Sequence, residues 1–226
     1  MRKLTAQLLI SWILFAVLCL NAQAAGSRDG LSAPQRNKPD GGKRTVKIIN
    51  PDEQLFMVKK DGKFGYITRD GTLAIPCQYE QASPFAEGLA SVMAAGKWGF
   101  IDGTGKMLGR PLYEKVDDFS DGLAAVNLAG KFGYINKQGS MVIKPQFDRA
   151  ERFSEGLAAV LVGDRWGYID KLGRFVIKPQ FFRASDFQNG LAVVMMFRDD
   201  EMFNNAEQAM LGYVNRRGEF VWRPTR

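Results

Sequence analysis

Residues 153–181 read FSEGLAAVLVGDRWGYIDKLGRFVIKPQF, and this stretch decides the fold class. Residues 157–160 form a short apolar segment after a glycine, and residues 165–169 alternate large side chains between two faces. Residues 170–173 place Asp at the first position and Gly at the last position of a type I turn. A third apolar segment follows at residues 175–177. The stretch therefore predicts three short antiparallel strands joined by tight turns.

The phrases of this stretch recur along the chain with a period of 34 residues. The central phrase occurs as KFGYI, KWGFI, KFGYI and RWGYI around Gly65, Gly99, Gly133 and Gly167. A weaker copy surrounds Gly212, 45 residues after Gly167, because eleven residues are inserted before it. The Gly-Leu-Ala phrase keeps the same period at Gly88, Gly122, Gly156 and Gly190. A fixed period of this length predicts one supersecondary unit in tandem, each copy burying its apolar face on its neighbours.

Helical repeats of the tetratricopeptide kind have the same period and are the competing interpretation. No run of twelve residues between Gly62 and Gly190 is free of both Gly and Pro. The apolar spacing of an amphipathic helix is also missing. The sequence therefore favours strands.

With these phrases the sequence resembles the WG-repeat family, also called KWG repeats, which is widespread in bacterial proteins. The resemblance covers roughly residues 54–223. Lys97-Trp98-Gly99 and Arg165-Trp166-Gly167 match the dipeptide that names the family, while Phe64 and Phe132 replace Trp in other copies. The resemblance implies a repetitive β architecture and little about activity, since a fold does not specify a function.

We predict an all-β fold in which short antiparallel strands, about three per unit, form an elongated and curved tandem array. The repeat domain is placed at residues 45–226, with units at 54–87, 88–121, 122–155, 156–189 and 190–226. A closed, propeller-like toroid of five units is the alternative, because residues 44–49 could supply the strand that the truncated fifth unit lacks.

The first 24 residues are predicted to be a signal peptide. Arg2 and Lys3 form a basic start, residues 8–20 are apolar apart from Ser11, and Ala22-Gln23-Ala24 fits the signal peptidase pattern. Cleavage near Ala24 would export the chain to the periplasm or the medium and leave no membrane span in the mature protein. Residues 25–44, rich in Gly, Pro, Ser and charge, are predicted to be a flexible linker.

The composition argues against most catalytic classes. The chain has no histidine, which removes the usual general base near neutral pH and the commonest metal ligand. We therefore expect no catalytic residue, no metal site and no cofactor. The net charge of +7 falls to +5 without the signal peptide, which carries two basic residues and no acid. This mildly basic balance is not diagnostic of a partner, and no nucleic-acid partner is expected.

Two aromatic ladders follow the period and have two interpretations. Their members are Phe64, Trp98, Phe132 and Trp166 in one, and Phe85, Phe119, Phe153 and Phe187 in the other. Flat rings can stack on sugars, which makes a carbohydrate-binding module the alternative function. Large apolar residues at period-locked positions are more often inside, so the ladders are interpreted as core between units.

Other recurrent positions are interpreted as structural. The residues before the Gly-Leu-Ala glycine are expected to cap their turns, since equivalent positions cannot provide the unlike carboxylates of a hydrolase; they are Glu87, Asp121, Glu155 and Asn189. Pro179 lacks an amide donor and is expected to end the strand pairing. Cys77 stands where other units have proline and is expected to be a buried, inert thiol.

The insertion at residues 195–210 breaks the repeat pattern and is predicted to carry the function. It holds adaptable apolar side chains among four acids, which suits protein recognition. A terminal cap on the stack is the alternative. The predicted partner-binding residues are Met196, Phe197, Met202, Phe203, Arg216 and Arg217. The predicted function is a non-catalytic binding or scaffold module of the bacterial cell envelope, with an envelope protein as partner and glycan as the alternative.

Overall fold

The computed structural model describes residues 54–196 and 210–223, which lie within the second of two compact units of the chain, Val46–Arg226. Every regular element in these residues is a β-strand, which confirms the all-β class and rules out the helical repeat there. Phe197, Met202 and Phe203, three of the predicted partner-binding residues, fall outside the described residues. Within the described ranges, no helix is long and apolar enough to cross a membrane.

The strands follow one another along the chain as five small antiparallel sheets. In chain order they are β1 (Phe56–Lys60), β2 (Lys63–Ile67), β3 (Leu73–Tyr79), β4 (Gln81–Ala82), β5 (Leu89–Ala94), β6 (Lys97–Asp102), β7 (Lys115–Val116), β8 (Leu123–Leu128), β9 (Lys131–Asn136), β10 (Met141–Phe147), β11 (Arg149–Ala150), β12 (Leu157–Val162), β13 (Arg165–Asp170), β14 (Phe175–Phe181), β15 (Arg183–Ala184), β16 (Leu191–Met196), β17 (Met210–Asn215) and β18 (Phe220–Trp222). The first sheet contains β1 to β3, the second β4 to β6, the third β7 to β10, the fourth β11 to β14 and the fifth β15 to β18. Within each sheet, neighbouring strands are also neighbours in sequence.

The predicted Asx turns are confirmed. In the fourth sheet the Gly173 amide donates to the Asp170 carbonyl at 2.9 Å, and Asp170 Oδ1 accepts from the amides of Leu172 and Arg174, both at 2.9 Å. Gly173 has a φ of +79°, a left-handed value that strains any residue with a Cβ. The same pattern of side-chain acceptance recurs at Asp102, Asn136 and Asn215. This turn joins the second and third long strands of a sheet.

The expectation that Pro179 ends the strand pairing is wrong. β14 continues through the proline to Phe181, which pairs with Trp166 on β13. The pairing persists because the register shifts between Trp166 and Tyr168, and such a bulge leaves a residue outside the ladder, where the missing amide costs nothing. The first and third sheets shift register in the same way.

A fourth strand, which the sequence did not predict, extends three of the sheets. It is a two-residue strand, β7, β11 or β15, paired with the long strand that begins at the Gly-Leu-Ala phrase. In the second sheet β4 takes this place, while the third long strand is reduced to two bridges, Trp98 to Tyr113 and Ile101 to Met107. That segment contains Gly109 and Pro111, which weaken strand pairing.

Successive sheets stack and bury one apolar layer between each pair. Between the fourth and fifth sheets, Leu157, Tyr168 and Ile177 of one sheet meet Val194 and Val214 of the other. Three further layers of the same kind lie between the preceding sheets. The stacking follows from the alternation of side chains, because each inner strand has one apolar row facing the sheet before it and another facing the sheet after it.

Among the described residues, the two terminal sheets each have an outer face on which no other sheet is stacked. The substantial contacts between described strands of different sheets all join sheets that are consecutive in the chain. Phe56 on the outer face of the first sheet is 40% exposed, and Tyr213 on the outer face of the fifth is 38% exposed. The tandem β array is thus confirmed, and the described residues give no support to the closed toroid.

Candidate interaction surface

The recurrent acids hold successive units together. Each lies in a two-residue turn, and Glu155 there has a φ of +53°. Its side chain does not cap its own turn: Glu155 Oε2 accepts from the Gly190 amide, one unit further on, at 2.9 Å. Asp121 accepts from the Gly156 amide at 2.7 Å in the same way, and Glu87 accepts from Gly122 at 3.1 Å. These three acids therefore cap turns as expected, but each caps the turn of the next unit instead of its own.

The ring at the centre of each layer is one that the sequence analysis overlooked. Tyr134 and Tyr168 are completely buried, and each donates its hydroxyl hydrogen to a backbone carbonyl, of Glu151 at 2.7 Å and of Ser185 at 2.8 Å. Burial raises the pKa of Tyr168 well above its usual range, so the hydroxyl remains a donor. An aromatic residue follows the central glycine in every copy, and that recurrence was the available signal.

The two predicted ladders differ in burial. In the second ladder, Phe153 packs edge-to-face on Tyr134 with ring centres 4.8 Å apart, and Phe187 packs on Tyr168 at 4.9 Å, so core packing is confirmed for these rings. The rings of the first ladder lie only partly buried at the edges of the layers; they are Phe64, Trp98, Phe132 and Trp166. The predicted packing between units is therefore confirmed only in part for that ladder, whose rings pack on the layers without being fully buried.

The thiol of Cys77 is half-buried rather than buried. Cys77 lies on β3, where the strand bulges across Gly65, and a Cβ on that glycine would lie 2.7 Å from the Cys77 amide nitrogen. Cys77 thus occupies a position in the bulge that proline occupies in other units.

A row of carboxylates runs beside the third, fourth and fifth sheets, close to the tyrosine hydroxyls. Burial raises the pKa of Asp117, and the neighbouring carboxylates of Asp118 and Asp186 add to the rise. Burial also raises the pKa of Glu151, with Asp186 and Asp117 adding to it. Arg152 compensates in part, since its Nε lies 2.8 Å from Asp186 Oδ2. The row combines partly buried like charges with a single close ion pair, which costs stability at neutral pH.

The outer face of the fifth sheet presents large side chains at positions that are buried in preceding sheets. Tyr213 is 38% exposed, whereas Tyr168 at the equivalent position is completely buried. Trp222 is 50% exposed at the position where Ile177 is buried. The rings of Tyr213 and Trp222 meet edge-to-face with centres 6.4 Å apart. In the preceding sheets another sheet covers these positions, so the fifth sheet presents an exposed apolar surface where the others have a buried one.

A recess of about 590 Å³ opens on this outer face. Its apolar wall consists of Leu191, Val193 and Tyr213. Its polar rim consists of Ser185, Asp186, Gln188 and Asn189. Ser185 Oγ accepts from the Val193 amide at 3.0 Å, which fixes the rim against the wall. An apolar wall with a few fixed polar groups is the usual composition of a binding site.

The described residues of the predicted partner site lie at opposite ends of the fifth sheet. Met196 ends β16, pairs with Met210, and packs on the layer between the fourth and fifth sheets. Arg216 and Arg217 follow Asn215 in the exposed Asx turn beyond the other end of β17. β17 is six residues long, so its ends are about 17 Å apart. The structure therefore does not bring Met196 together with the two arginines.

Comparison with known protein families gives one match. The model described as "WG containing repeat" matches four consecutive segments, at residues 64–98, 98–132, 132–166 and 166–196. The segments share their boundary residues and together span most of the described chain. No curated protein matches the chain.

Among solved structures, the chain is similar to a eukaryotic initiation factor, with 14% identity and a TM-score of 0.49 over 77% of this chain and 52% of the other. A protein of unknown function from Bacteroides caccae has 16% identity and a TM-score of 0.30 over 75% and 77%. PorZ, a type-IX secretion-system component of Porphyromonas gingivalis, has 11% identity and a TM-score of 0.41 over 76% and 25%. The chain thus spans about half of the initiation-factor chain and a quarter of PorZ.

Proposed function

Since the chain belongs to the WG-repeat family, we propose that it is a non-enzymatic interaction module, exported to the bacterial cell envelope, that binds a protein through the outer face of its fifth sheet. The observation that carries this proposal is the exposure of Tyr213 and Trp222 at positions that are buried in preceding sheets. An apolar surface with a recess and a polar rim favours a protein partner over a small polar solute.

The other recurrent side chains have structural roles within the array, which supports the outer face of the fifth sheet as the binding surface. The acids Asp121 and Glu155 bind the turn of the next unit, and the buried rings of Tyr134 and Tyr168 fill the layers between sheets. These groups are committed to the array itself. The outer face of the fifth sheet repeats the same residue pattern, and no following sheet covers it in the part of the chain that the structure describes, so it is available for recognition.

The chemistry of the chain supports a non-enzymatic role. The sequence has no histidine, so a catalytic proton transfer near neutral pH would need perturbed carboxylates. The carboxylates with raised pKa values, Asp117 and Glu151, adjoin the hydrogen-bonded backbone of the array, because the Asp117 amide donates to the Ala125 carbonyl at 2.9 Å and the Glu151 carbonyl accepts from Tyr134. Export rests on the signal-peptide pattern of residues 1–24.

The position of the insertion in the sequence supports the same surface. Residues 197–209 connect β16 to β17, the two strands that provide Leu191, Val193 and Tyr213 to the recess. A partner on the outer face is therefore expected to contact the insertion as well. The apolar residues predicted from the sequence and the surface seen in the structure would then bind the same partner.

Site-specific photocrosslinking in the producing cells tests the proposal. A photoactivatable residue at Tyr213 is expected to capture one defined protein, which mass spectrometry identifies. The same residue at Leu172, which is 72% exposed in the Asx turn of the fourth sheet, is the matched control and is expected to capture nothing specific. Equal capture at both positions, or none at Tyr213, contradicts the proposal. Capture of a glycan instead would support the carbohydrate-binding alternative, which the exposed rings of Tyr213 and Trp222 favour.

A further inference from the structure

The layers between consecutive sheets all use the same two sets of positions. In the layer between the fourth and fifth sheets, one set is Leu157, Ala159, Tyr168 and Ile177 on the fourth sheet. The other set is Ala192, Val194, Val214 and Phe220 on the fifth sheet. The first set is always on the face toward the following sheet, and the second is always on the face toward the preceding sheet. Each sheet therefore has two different faces that fit each other.

The outer face of the first sheet carries the second set. By the 34-residue period, Phe56, Val58, Ile67 and Leu73 correspond to Ala192, Val194, Val214 and Phe220, the last two after allowance for the eleven inserted residues. Phe56 and Leu73 are exposed, and Val58 and Ile67 are partly exposed. All four are apolar, although no sheet covers them among the described residues. The positions of Phe56, Val58 and Ile67 are buried between sheets in every other unit, whereas the position of Leu73 is only partly covered there. An exposed apolar row at such positions indicates an interface.

The outer face of the fifth sheet carries the first set. Leu191, Val193, Tyr213 and Trp222 correspond to Leu157, Ala159, Tyr168 and Ile177 by the same period and allowance. The sequence therefore provides both halves of one more layer, at opposite ends of the array. The described residues show the two halves exposed at the same time, so they do not cover each other within one chain.

We propose that the chain binds a second copy of itself head to tail, with the outer face of the first sheet of one copy on the outer face of the fifth sheet of the other. This inference rests on the proposed function and names the partner that the same surface takes. It continues the interface that already recurs four times inside the chain. Such a contact joins unlike surfaces, so it leaves one free face at each end and allows further copies to add.

The largest difference between the terminal layer and the internal ones fits this arrangement. Phe56 takes a position where the internal sheets have alanine, such as Ala192, so a ring replaces a methyl group. The recess bounded by Leu191, Val193 and Tyr213 lies on the opposite half-layer and offers about 590 Å³. A large side chain on one half and a recess on the other give an anchor and its pocket, the pairing typical of the energetically dominant part of an interface.

Sedimentation of the purified full chain over a range of concentrations tests the proposal. The average mass is expected to rise with concentration beyond that of one chain. Phe56→Glu and Tyr213→Glu are each expected to weaken association by about 30-fold or more, because each places a charge at the centre of the contact. Leu172→Glu is the control, since it adds the same charge at an exposed turn, and association should be unchanged. Circular dichroism confirms that each variant is folded.

Mixing the two defective variants gives the decisive result. Phe56→Glu retains an intact fifth sheet and Tyr213→Glu retains an intact first sheet, so together they should form a one-to-one dimer that grows no further. A wild-type chain that stays monomeric, a folded single variant that still associates normally, or a mixture that fails to pair overturns the inference. If the purified chain is monomeric while the crosslinker at Tyr213 captures another protein, the proposed function stands and self-association alone is wrong.

Discussion

At Gly167 the backbone of β14 crosses the strand so closely that no side chain fits. A Cβ on this glycine would lie 2.6 Å from the Ile177 carbonyl oxygen and 2.7 Å from the Pro179 nitrogen. Gly65 and Gly133 face equally short contacts with their own bulged strands. The glycine of the central phrase and the later Ile-Lys-Pro phrase therefore depend on each other, because the bulge at the proline places the backbone of β14 over the glycine.

Gly167→Ala is expected to destabilise the fold by about 3 kcal/mol, because backbone atoms cannot move aside as a flexible side chain can. Gly156→Ala is the matched control. Its φ of +83° strains an alanine, but nothing lies within 4 Å of the added Cβ, so a loss of about 1–2 kcal/mol is expected. Urea unfolding measures both. Equal losses would show that the contact with β14 is not the cause.

Two neighbouring rings should differ in their contribution to stability. Tyr168 is completely buried and hydrogen-bonded, so Tyr168→Ala is expected to cost about 3–5 kcal/mol. Trp166 lies partly buried at the edge of the same layer, so Trp166→Ala is expected to cost about 1–2 kcal/mol despite the larger ring. Thermal and urea melts give the comparison. A greater loss for Trp166→Ala would restore the central role that the sequence suggested for its ladder.

At the scale of the elements, the turns are connected in series. Asp121 of one turn accepts from the Gly156 amide of the next, and Glu155 accepts from the Gly190 amide of the one after. Ser120 and Ser154 add parallel bonds, donating to the Phe153 and Phe187 carbonyls, each at 2.7 Å. Neighbouring units are thus connected by hydrogen bonds at one end and by apolar packing along their faces.

Asp121→Ala is expected to destabilise the protein by about 1–2 kcal/mol, because the partly buried Gly156 amide loses a charged acceptor. Asp121→Asn retains an acceptor and should lose much less. Denaturant unfolding separates the two. If both variants lose the same amount, charge rather than hydrogen bonding is responsible.

The carboxylate row predicts a dependence on pH. Because burial and the charges of Asp186 and Asp117 raise the pKa of Glu151, its native form binds protons more tightly than its unfolded form. Its unfavourable contribution therefore appears as the pH rises through the unfolded pKa of about 4.3 to the raised folded pKa, and it persists at neutral pH. Glu151→Gln should raise the melting temperature at pH 7 and give little gain below about pH 4.

Asp148 provides a control, because its effect on stability depends on pH in the opposite direction. Hydrogen bonds from Lys131 and from the Gly163 amide lower its pKa, so its favourable contribution is lost as the pH falls. Asp148→Asn should therefore lower the melting temperature at pH 7, and the difference from wild type should shrink in acid. A Glu151→Gln gain that is independent of pH would contradict the electrostatic explanation.

Some of these elements can be predicted from the sequence and others cannot, for physical reasons. Period and turn chemistry sufficed for the long strands and for turns such as Asp170 to Gly173, because local backbone preferences specify them. The two residues of β11 recur with the period as Arg183-Ala184, but two residues are too few to show the alternation that marks a strand. Pairing across Pro179 depends on a bulge formed only against β13. The open face of the fifth sheet was also missed, since exposure there depends on which sheet is stacked where.

At the scale of the whole molecule, function is expected at the two places where the repeat ends or is interrupted. Internal hairpins such as that between β8 and β9 turn through Ala129-Gly130, and both residues have positive φ. Residues 197–209 replace such a two-residue turn between β16 and β17. The insertion is therefore additional to a hairpin that the rest of the fold already specifies.

Replacing residues 197–209 with Asn-Gly restores the 34-residue spacing and supplies residues that adopt positive φ readily. This variant is expected to fold with a melting temperature within a few degrees of wild type and to lose crosslinking at Tyr213. Simple deletion of residues 198–208 would leave Phe197 and Ala209 in the turn and should be less stable. If the Asn-Gly variant unfolds, the insertion is a structural cap instead.

The bonds between turns have a consequence for how such a chain can change over generations. Each unit presents the same acceptor to its successor and the same donor to its predecessor, as Glu155 and Gly156 show. Recombination that adds or removes a whole unit inside the array would therefore preserve every contact on both sides of the change. Gain or loss of part of a unit would misalign the donors and acceptors of all later turns. Selection should therefore tolerate relatives that differ by whole repeats. The terminal sheets, whose outer faces meet no neighbouring unit within residues 54–196 and 210–223, evolve under constraints of their own.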